Sequence, residues 1–433
     1  MSENVIRIGD DFLNIDIIRT PVGNIRIGSC PKVSKFLKEN NIEANYVIVP
    51  PFIANYAGDN YTGEEFVLWN KIYKNDLTPN IYIGSRKNLN YLYKRLAKTI
   101  NWTFNKDKTK IIKKNRLKKL FKRIKARYDK PVRIKKQVEI IFKPHDILIY
   151  LNSQKIYSWA ENLNCSDINK KIISISKKYL PNKYIDYLEI IPLGDGNGFR
   201  GNTASFIVKY AQRIIFIDPI AEPLIVLKKL NLNFDNITDY FISHIHEDHI
   251  EGLSAILKFA SDFGKKLNII TTKKIYKELK KIYEPLFLDF EVITNHINII
   301  PNATLPYYHG YITVRLNHHV LKSQTLSFKI HYKNNIFAIS GDTKYDSKLA
   351  LKLKNNLAFD IGYYNDCHLL FHEVEFQNPN NVHTFYKEVE KIKANTKAKV
   401  LVYHSSSEKF LLDKVKEFHR YIIKDGKVIF KSL

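Results

Sequence analysis

The segment Phe241–Leu253, FISHIHEDHIEGL, constrains this 433-residue chain more than any other part of it. It sets His244, His246, Asp248 and His249 directly after an apolar run that reads as a strand. Alternate side chains of an extended backbone share a face, so His244 and His246 point the same way and can reach one ion. The Asp248–His249 pair, turning into a helix near Gly252, offers a carboxylate and an imidazole to a second ion. Core packing does not gather three histidines and an aspartate so tightly. Metal binding does.

The surroundings read as a layered α/β domain. From about Tyr184, short alternating strands are joined by Gly/Asn turns, and strand-like runs then alternate with helical stretches: ITDYFIS, GLSAILKFASDFGKK, LNIITT, KKIYKELKKIY. A boundary near residues 170–184 divides the chain into an accessory domain, 1–180, and a catalytic domain, 181–433. The second is long enough to bury a full core.

The HxHxDH pattern resembles the signature of the metallo-β-lactamase fold, and further motifs follow in the family's order. Asp218 ends the strand-like IIFIDP; RLNHHVLKSQTLSFKI supplies a third histidine; SGDT supplies Asp342; LVYHSSS supplies His404. The resemblance implies an αββα sandwich over about residues 185–410. It implies His244, His246 and His318 on one ion, with His319 as the fallback for His318. Asp248, His249 and His404 would hold the other ion, Asp342 would bridge the two, and Asp218 would orient ligands from behind. Glu247 is not a ligand in the family. All-N/O ligands favour Zn²⁺, and Mn²⁺ or Fe would accept the same set. Two such ions would activate a bridging hydroxide for attack on a phosphoryl or acyl centre, with Asp248 central to catalysis.

Beyond SGDT, the segments HEVEF, His383-Thr384 and His404 resemble the ribonuclease Z-like branch of that family. There the resemblance implies phosphodiester cleavage, with Glu373 and His383 handling protons. Two features depart from the branch. Ser327 stands where a glycine is usual, and 23 residues separate His318 from Asp342, too few for the long arm with which tRNA-processing members grip tRNA. A ribonuclease Z-like nuclease is the first expectation and a phosphodiesterase of small or cyclic nucleotides the second. Lactone or thioester hydrolysis comes third, and a non-enzymatic nucleic-acid-binding scaffold is the alternative of a different class.

Charge bears on the choice between polymer and small substrate. The formal net charge is +26, and Lys106–Lys136 holds sixteen Lys and Arg against Asp107 and Asp129. Leu117, Leu120, Phe121 and Ile124 fall at helical spacing there, which predicts a helix near 111–127 ending before Pro131. Lys118, Lys119, Lys122 and Arg123 would then face outward as a nucleic-acid-binding surface in place of the missing arm. Abundant Lys, Asn and Ile throughout the chain is the compositional alternative, and a solvated basic face the structural one.

The first half also resembles a worn copy of the second. NYVIVPPF (45–52) parallels DYFISHIH (239–246), NIYIGSRKNLNYLYKRL parallels NIITTKKIYKELKKIY, and VRIKKQV parallels VRLNHHV, without the histidines. The accessory domain is thus expected to be α/β and a degenerate metallo-β-lactamase-like half. No apolar run approaches the ~20 residues of a membrane span. The start of the chain lacks a leader's basic and apolar regions, and Cys30, Cys165 and Cys367 read as free thiols, so a cytoplasmic location is expected. Expected partners are a nucleic acid or nucleotide substrate and no membrane; a homo-oligomer is compatible with the chain.

Overall fold

The computed structural model describes residues 4–9, 14–98, 100, 102–104, 111–113, 116–162, 181–319, 324–352, 361–377, 382–405, 407 and 411–433. Two compact units emerge: 1–101 with 114–174, and 102–113 with 175–433. The expected boundary near 170–184 falls largely on 163–180, outside the described residues, as does Cys165. Cys30 and Cys367 are buried free thiols. Among the described residues no helix is long and apolar enough to cross a membrane.

The second unit is built on two sheets. The eight-stranded one runs Thr294–Asn298, Leu267–Thr271, Asp239–Phe241, Arg213–Ile217, Ser205–Ala211, Ile185–Gly194, Arg420–Lys424, Lys427–Lys431. Its first four strands are parallel and the rest antiparallel. The parallel strands are apolar almost throughout (RIIFI, DYF), as burial on both faces requires. Helices Pro223–Lys229, Leu253–Phe263 and Lys273–Tyr283 provide the crossovers. The six-stranded sheet runs Thr304–Tyr307, Gly310–Leu316, Leu326–Tyr332, Asn335–Ile339 antiparallel, then Leu369–Glu373 and Lys399–Tyr403 parallel.

Aromatic rings join these two sheets into a sandwich. Phe206 lies 5.6 Å from Phe371 and 5.1 Å from Tyr403, and Phe241 lies 4.8 Å from Phe328 (ring centroids). The carboxyl ends of strands from both sheets therefore open on one edge. Asp218 follows Ile217, His404 follows Tyr403, and His244 and Asp342 each sit three residues past a strand end. Gly252 permits the turn that brings Asp248 and His249 to that edge. Its N–H donates to Pro219 O at 2.8 Å, and a Cβ there would sit 2.1 Å from Ile220 O.

The first unit carries a six-stranded sheet ordered Val5–Gly9, Asn14–Ile18, Ile25–Ile27, Tyr46–Val49, Asn80–Gly84, Phe121–Lys125. Two antiparallel pairings are followed by three parallel ones, the same sequence of pairings that runs from Ile185–Gly194 to Thr294–Asn298. A four-stranded antiparallel sheet, Val132–Ile134, Val138–Phe142, Ile147–Leu151 and Gln154–Ser158, packs on it through Ile27, Ile48, Ile83, Val138, Ile140 and Ile149.

The equivalent register differs by one residue from the one the sequence suggests. Gly28 N donates to Ile48 O and Asp218 N to Phe241 O, both at 2.9 Å, so Ile48 corresponds to Phe241. Ser85 caps its helix as Thr272 does, and a Cβ on Gly63 would meet Cys30 O at 2.1 Å as one on Gly252 meets Ile220 O. The pairing of VRIKKQV with VRLNHHV does not hold. Val132–Ile134 is the first strand of its sheet, whereas Val314 lies in the second strand of its own.

The basic helix over 111–127 is also not what forms. Arg116–Leu120 makes little more than one helical turn, and Phe121–Lys125 is an edge strand paired in parallel with Asn80–Gly84. Leu117, Leu120 and Phe121 are buried as the spacing predicts, but sheet pairing takes over at Phe121, whose ring stacks on Tyr82 at 3.8 Å. Lys118, Lys119, Lys122 and Arg123 line the outside of this segment, all four exposed. Arg123 lies over the Tyr93 ring at 4.0 Å and donates to Asn90 Oδ1 at 3.0 Å. Lysines on a sheet edge discourage pairing with another chain, which gives this charge a structural use.

Candidate metal centre

His244, His246, His319 and Asp342 converge to within 4.8 Å of one another, and so do Asp248, His249 and His404. Asp342 belongs to both neighbourhoods. Its carboxylate lies 3.9 Å from His244 Nε2, 3.3 Å from His249 Nε2, and 3.4 Å from both His319 Nε2 and His404 Nε2. His404 Nε2 is also 3.2 Å from Asp248 Oδ2.

The histidine that the cluster contains is His319, the expected fallback, in place of His318. The two lie in a bend just past strand Gly310–Leu316, and the cluster takes in His319 alone of the pair. Asn317 sets which one. Its amide donates to Ser340 O at 2.7 Å and Asp342 O at 2.9 Å, while His318 O accepts from Lys344 N at 2.8 Å. His319 Nδ1 then donates to Val382 O at 2.8 Å, leaving Nε2 as the lone pair beside His246 Nδ1 at 3.2 Å. Nothing in the tandem His-His reveals this choice; it depends on how the loop is pinned.

Asp218 organises two ligands at once. It accepts from Ser243 N at 2.7 Å, from Ser243 Oγ at 2.5 Å and from His249 Nδ1 at 2.8 Å. With its proton given to Asp218, Ser243 Oγ can accept from His244 Nδ1 at 3.0 Å. The Nε2 lone pairs of His244 and His249 are thereby turned toward Asp342. His404 holds φ = +58°, a left-handed conformation that costs a histidine ~1–3 kcal/mol.

The donor set fits a pair of divalent ions. Among the described residues, His244 Nε2, Asp248 Oδ1 and both oxygens of Asp342 are buried and lack a hydrogen-bond partner, a costly arrangement unless a cation serves them. Protonation states agree. Burial, with His249 and His246 adding to it, holds His244 well below its ordinary value, and burial takes His246 down to about 4. Burial would raise Asp342, but His404 and His249 outweigh it and keep the carboxyl ionised. His249 is the exception. Burial opposes its charge, yet Asp342, Asp248 and Asp218 hold its proton, which an arriving cation must displace.

Glu373 and His383 flank this cluster. Glu373 Oε1 accepts from Thr343 N and Thr384 N, each at 3.0 Å, and His383 Nδ1 meets Glu373 Oε2 at 3.1 Å. His383 also comes within 4.8 Å of Asp342 and His404. Burial works against an imidazolium there, but the Glu373 carboxyl beside it outweighs burial and pushes His383 up to about 9. The structure thus gathers every sequence-predicted site residue of the second half except His318. Lys118, Lys119, Lys122 and Arg123 belong to the first unit.

A family model described as Anti-Pycsar protein Apyc1 matches residues 188–429. Ribonuclease Z of Treponema denticola is 34% identical over 77 residues, 17% of this chain; the match spans 25% of that relative's length. Among solved structures, the metallo-β-lactamase fold protein YhfI from Bacillus subtilis is 18% identical, with 51% of this chain and 87% of that one covered and a TM-score of 0.43. Human short-form tRNase Z is 16% identical, covering 54% of this chain and 98% of that one, with a TM-score of 0.42. The second unit has the metallo-β-lactamase fold, with its two sheets and the His and Asp cluster at their strand ends.

Proposed function

The chain belongs to the family described as Anti-Pycsar protein Apyc1, and on that premise we propose that it is a metal-dependent phosphodiesterase of small, cyclic nucleotides. The observation that carries the phosphodiesterase reading is the Glu373–His383 pair set against a two-part cluster of buried His and Asp side chains. Two divalent ions held there would lower the pKa of a water toward ~7 and neutralise charge on the phosphoryl oxygens. Zn²⁺ suits the all-N/O set, with Mn²⁺ or Fe as alternatives. His244, His246 and His319 would hold one ion, Asp248, His249 and His404 the other, and Asp342 both. Glu373, fixed by two backbone N–H groups, holds His383 in its protonated form beside the cluster. His383 then gives its proton to the leaving sugar oxygen.

The short span between His319 and Asp342 favours a small substrate over a polymer. Leu326–Tyr332 and Asn335–Ile339 take up most of it, which leaves no length for a nucleic-acid-gripping arm. The continuous basic helix that would have replaced the arm does not form. A nuclease remains the second reading, favoured by the exposed Lys118, Lys119 and Lys122.

Metal-loaded protein is expected to open a 3′,5′-cyclic nucleotide at a rate nearly independent of salt between 50 and 200 mM. A nuclease neutralising six to ten phosphates would instead lose ~10³–10⁵-fold in affinity over that range. Turnover of cyclic nucleotides, single-stranded RNA, a generic phosphodiester, a lactone and a thioester decides the matter. Hydrolysis of none of the phosphodiesters sinks the reading. Replacing His383 by Gln should lower kcat by ~10²–10⁴-fold, the range for a lost general acid. Because His383 must be protonated to act, wild-type kcat should fall as pH rises through about 9, and bound cations move that break lower. An unchanged alkaline break in His383→Gln would remove His383 from the role.

We also propose that the first unit is a degenerate copy of the second, supported by the shared strand order and register. Pro51 and Ile53 stand three and five residues past Ile48, where His244 and His246 stand past Phe241. Gly28 takes the place of Asp218.

A further inference from the structure

The connection between strands Ile185–Gly194 and Ser205–Ala211 touches the Asp248/His404 side of the centre at several points. Gly198 N donates to Asp248 Oδ2 at 3.1 Å, the same oxygen that meets His404 Nε2. Asp195 O accepts from His404 N at 2.6 Å, at the residue whose left-handed backbone most needs holding. Gly196 bridges to both Thr203 and Ser405, on either side of these contacts. Thr203 Oγ1 donates to Glu251, on the turn that also carries Asp248 and His249.

At the root of this loop the Asp195 side chain is 1% exposed and makes two ion pairs. One is to Arg200, within the loop, at 2.8 Å; the other is to Lys414, beyond the strand that delivers His404, at 3.2 Å. Lys414 is itself bridged to Val402 of that strand. Glu417, which Asn202 Nδ2 contacts, completes the charged surroundings. A buried carboxylate pinned from both sides ties the loop to the His404 segment. None of these contacts involves His244, His246 or His319.

We propose that Asp195 is a positioning residue for the second metal subsite: through the loop it anchors, it holds Asp248 and His404 in ligating geometry and leaves the His244/His246/His319 subsite untouched. This rests on the two-subsite reading of the centre. Outer contacts of this kind are typically worth ~10–100-fold in metal affinity.

The test titrates metal-stripped full chain with Zn²⁺ by calorimetry, with metal content checked after dialysis, for wild type, Asp195→Asn and Lys414→Gln. Lys414 is 42% exposed, so its variant folds even where a change at Asp195 does not. The expected result is a first ion bound as in wild type and a second bound ~10–100-fold more weakly in Asp195→Asn. Lys414→Gln should shift in the same direction by less, with the melting temperature of its metal-free form unchanged. Wild-type affinity for both ions in both variants overturns the proposal, and so does equal weakening of both ions. Fewer than two ions on wild type overturns the underlying two-subsite reading instead, a result visible before any variant is made.

Discussion

Asp342→Asn protein is expected to bind neither ion and to turn over phosphodiesters at the level of metal-stripped wild type. Asp342 is 1% exposed, faces four imidazoles and has both oxygens without a hydrogen-bond partner among the described residues. An amide there supplies one neutral acceptor where two cations need a shared anion. Each ion's affinity should therefore weaken by more than the ~10–100-fold typical of losing an outer partner. The melting temperature of the metal-free variant beside that of metal-free wild type separates loss of ligation from loss of fold. Metal content after dialysis, measured with turnover, checks this, and full metal content in Asp342→Asn would remove Asp342 from its place between the subsites. The same measurement bears on the first unit. If that half is a metal-less copy, wild type holds two ions per chain and the variant retains none elsewhere.

Glu64→Leu is expected to destabilise the first unit by ~3–5 kcal/mol, the scale for stripping one partner from a buried ion pair. Arg26, fully buried, pairs with Glu64 and donates to Gly28 O; Tyr82 donates its hydroxyl to the other Glu64 oxygen. With Ile48 matched to Phe241, these residues correspond to Phe216, Leu253 and Ile269, all buried and apolar. The first unit has an ion pair where the second has hydrocarbon. Converting the whole network with Arg26→Met, Glu64→Leu and Tyr82→Phe should therefore recover most of the loss, because paired apolar replacements of a buried ion pair are often neutral or stabilising. Denaturant melts followed in the first unit test the pair of variants. A single mutant as stable as wild type would show the pair to be dispensable, and a triple mutant no better than the single would break the proposed correspondence.

Much of the site was legible because metal chemistry restricts residue type. The spacing of His244, His246, Asp248 and His249 on a strand end and the helix after it dictates a shared face. Asp342 and His404 announce themselves by ending apolar strands. The choice between His318 and His319 was not legible, since both are buried polar histidines and only the hydrogen bonds of Asn317 and Val382 turn one of them inward. Asp195 was silent for a similar reason. Its partners Arg200 and Lys414 are brought together only by the fold.

The segment after residue 111 shows the opposite failure. Leu117, Leu120, Phe121 and Ile124 satisfy helical spacing, yet Phe121–Lys125 pairs with Asn80–Gly84 as a strand. Short amphipathic spacing is compatible with either backbone, and the deciding energy comes from a neighbour some forty residues earlier. By itself the sequence determined the His and Asp residue types of the candidate centre, the α/β alternation and the concentration of charge, because each is written in local pattern. The tertiary structure alone decided which histidine faces the cluster, the one-residue register of the two halves and the backbone conformation of the basic segment. Those depend on hydrogen bonds and sheet pairings between distant residues, which local pattern does not contain.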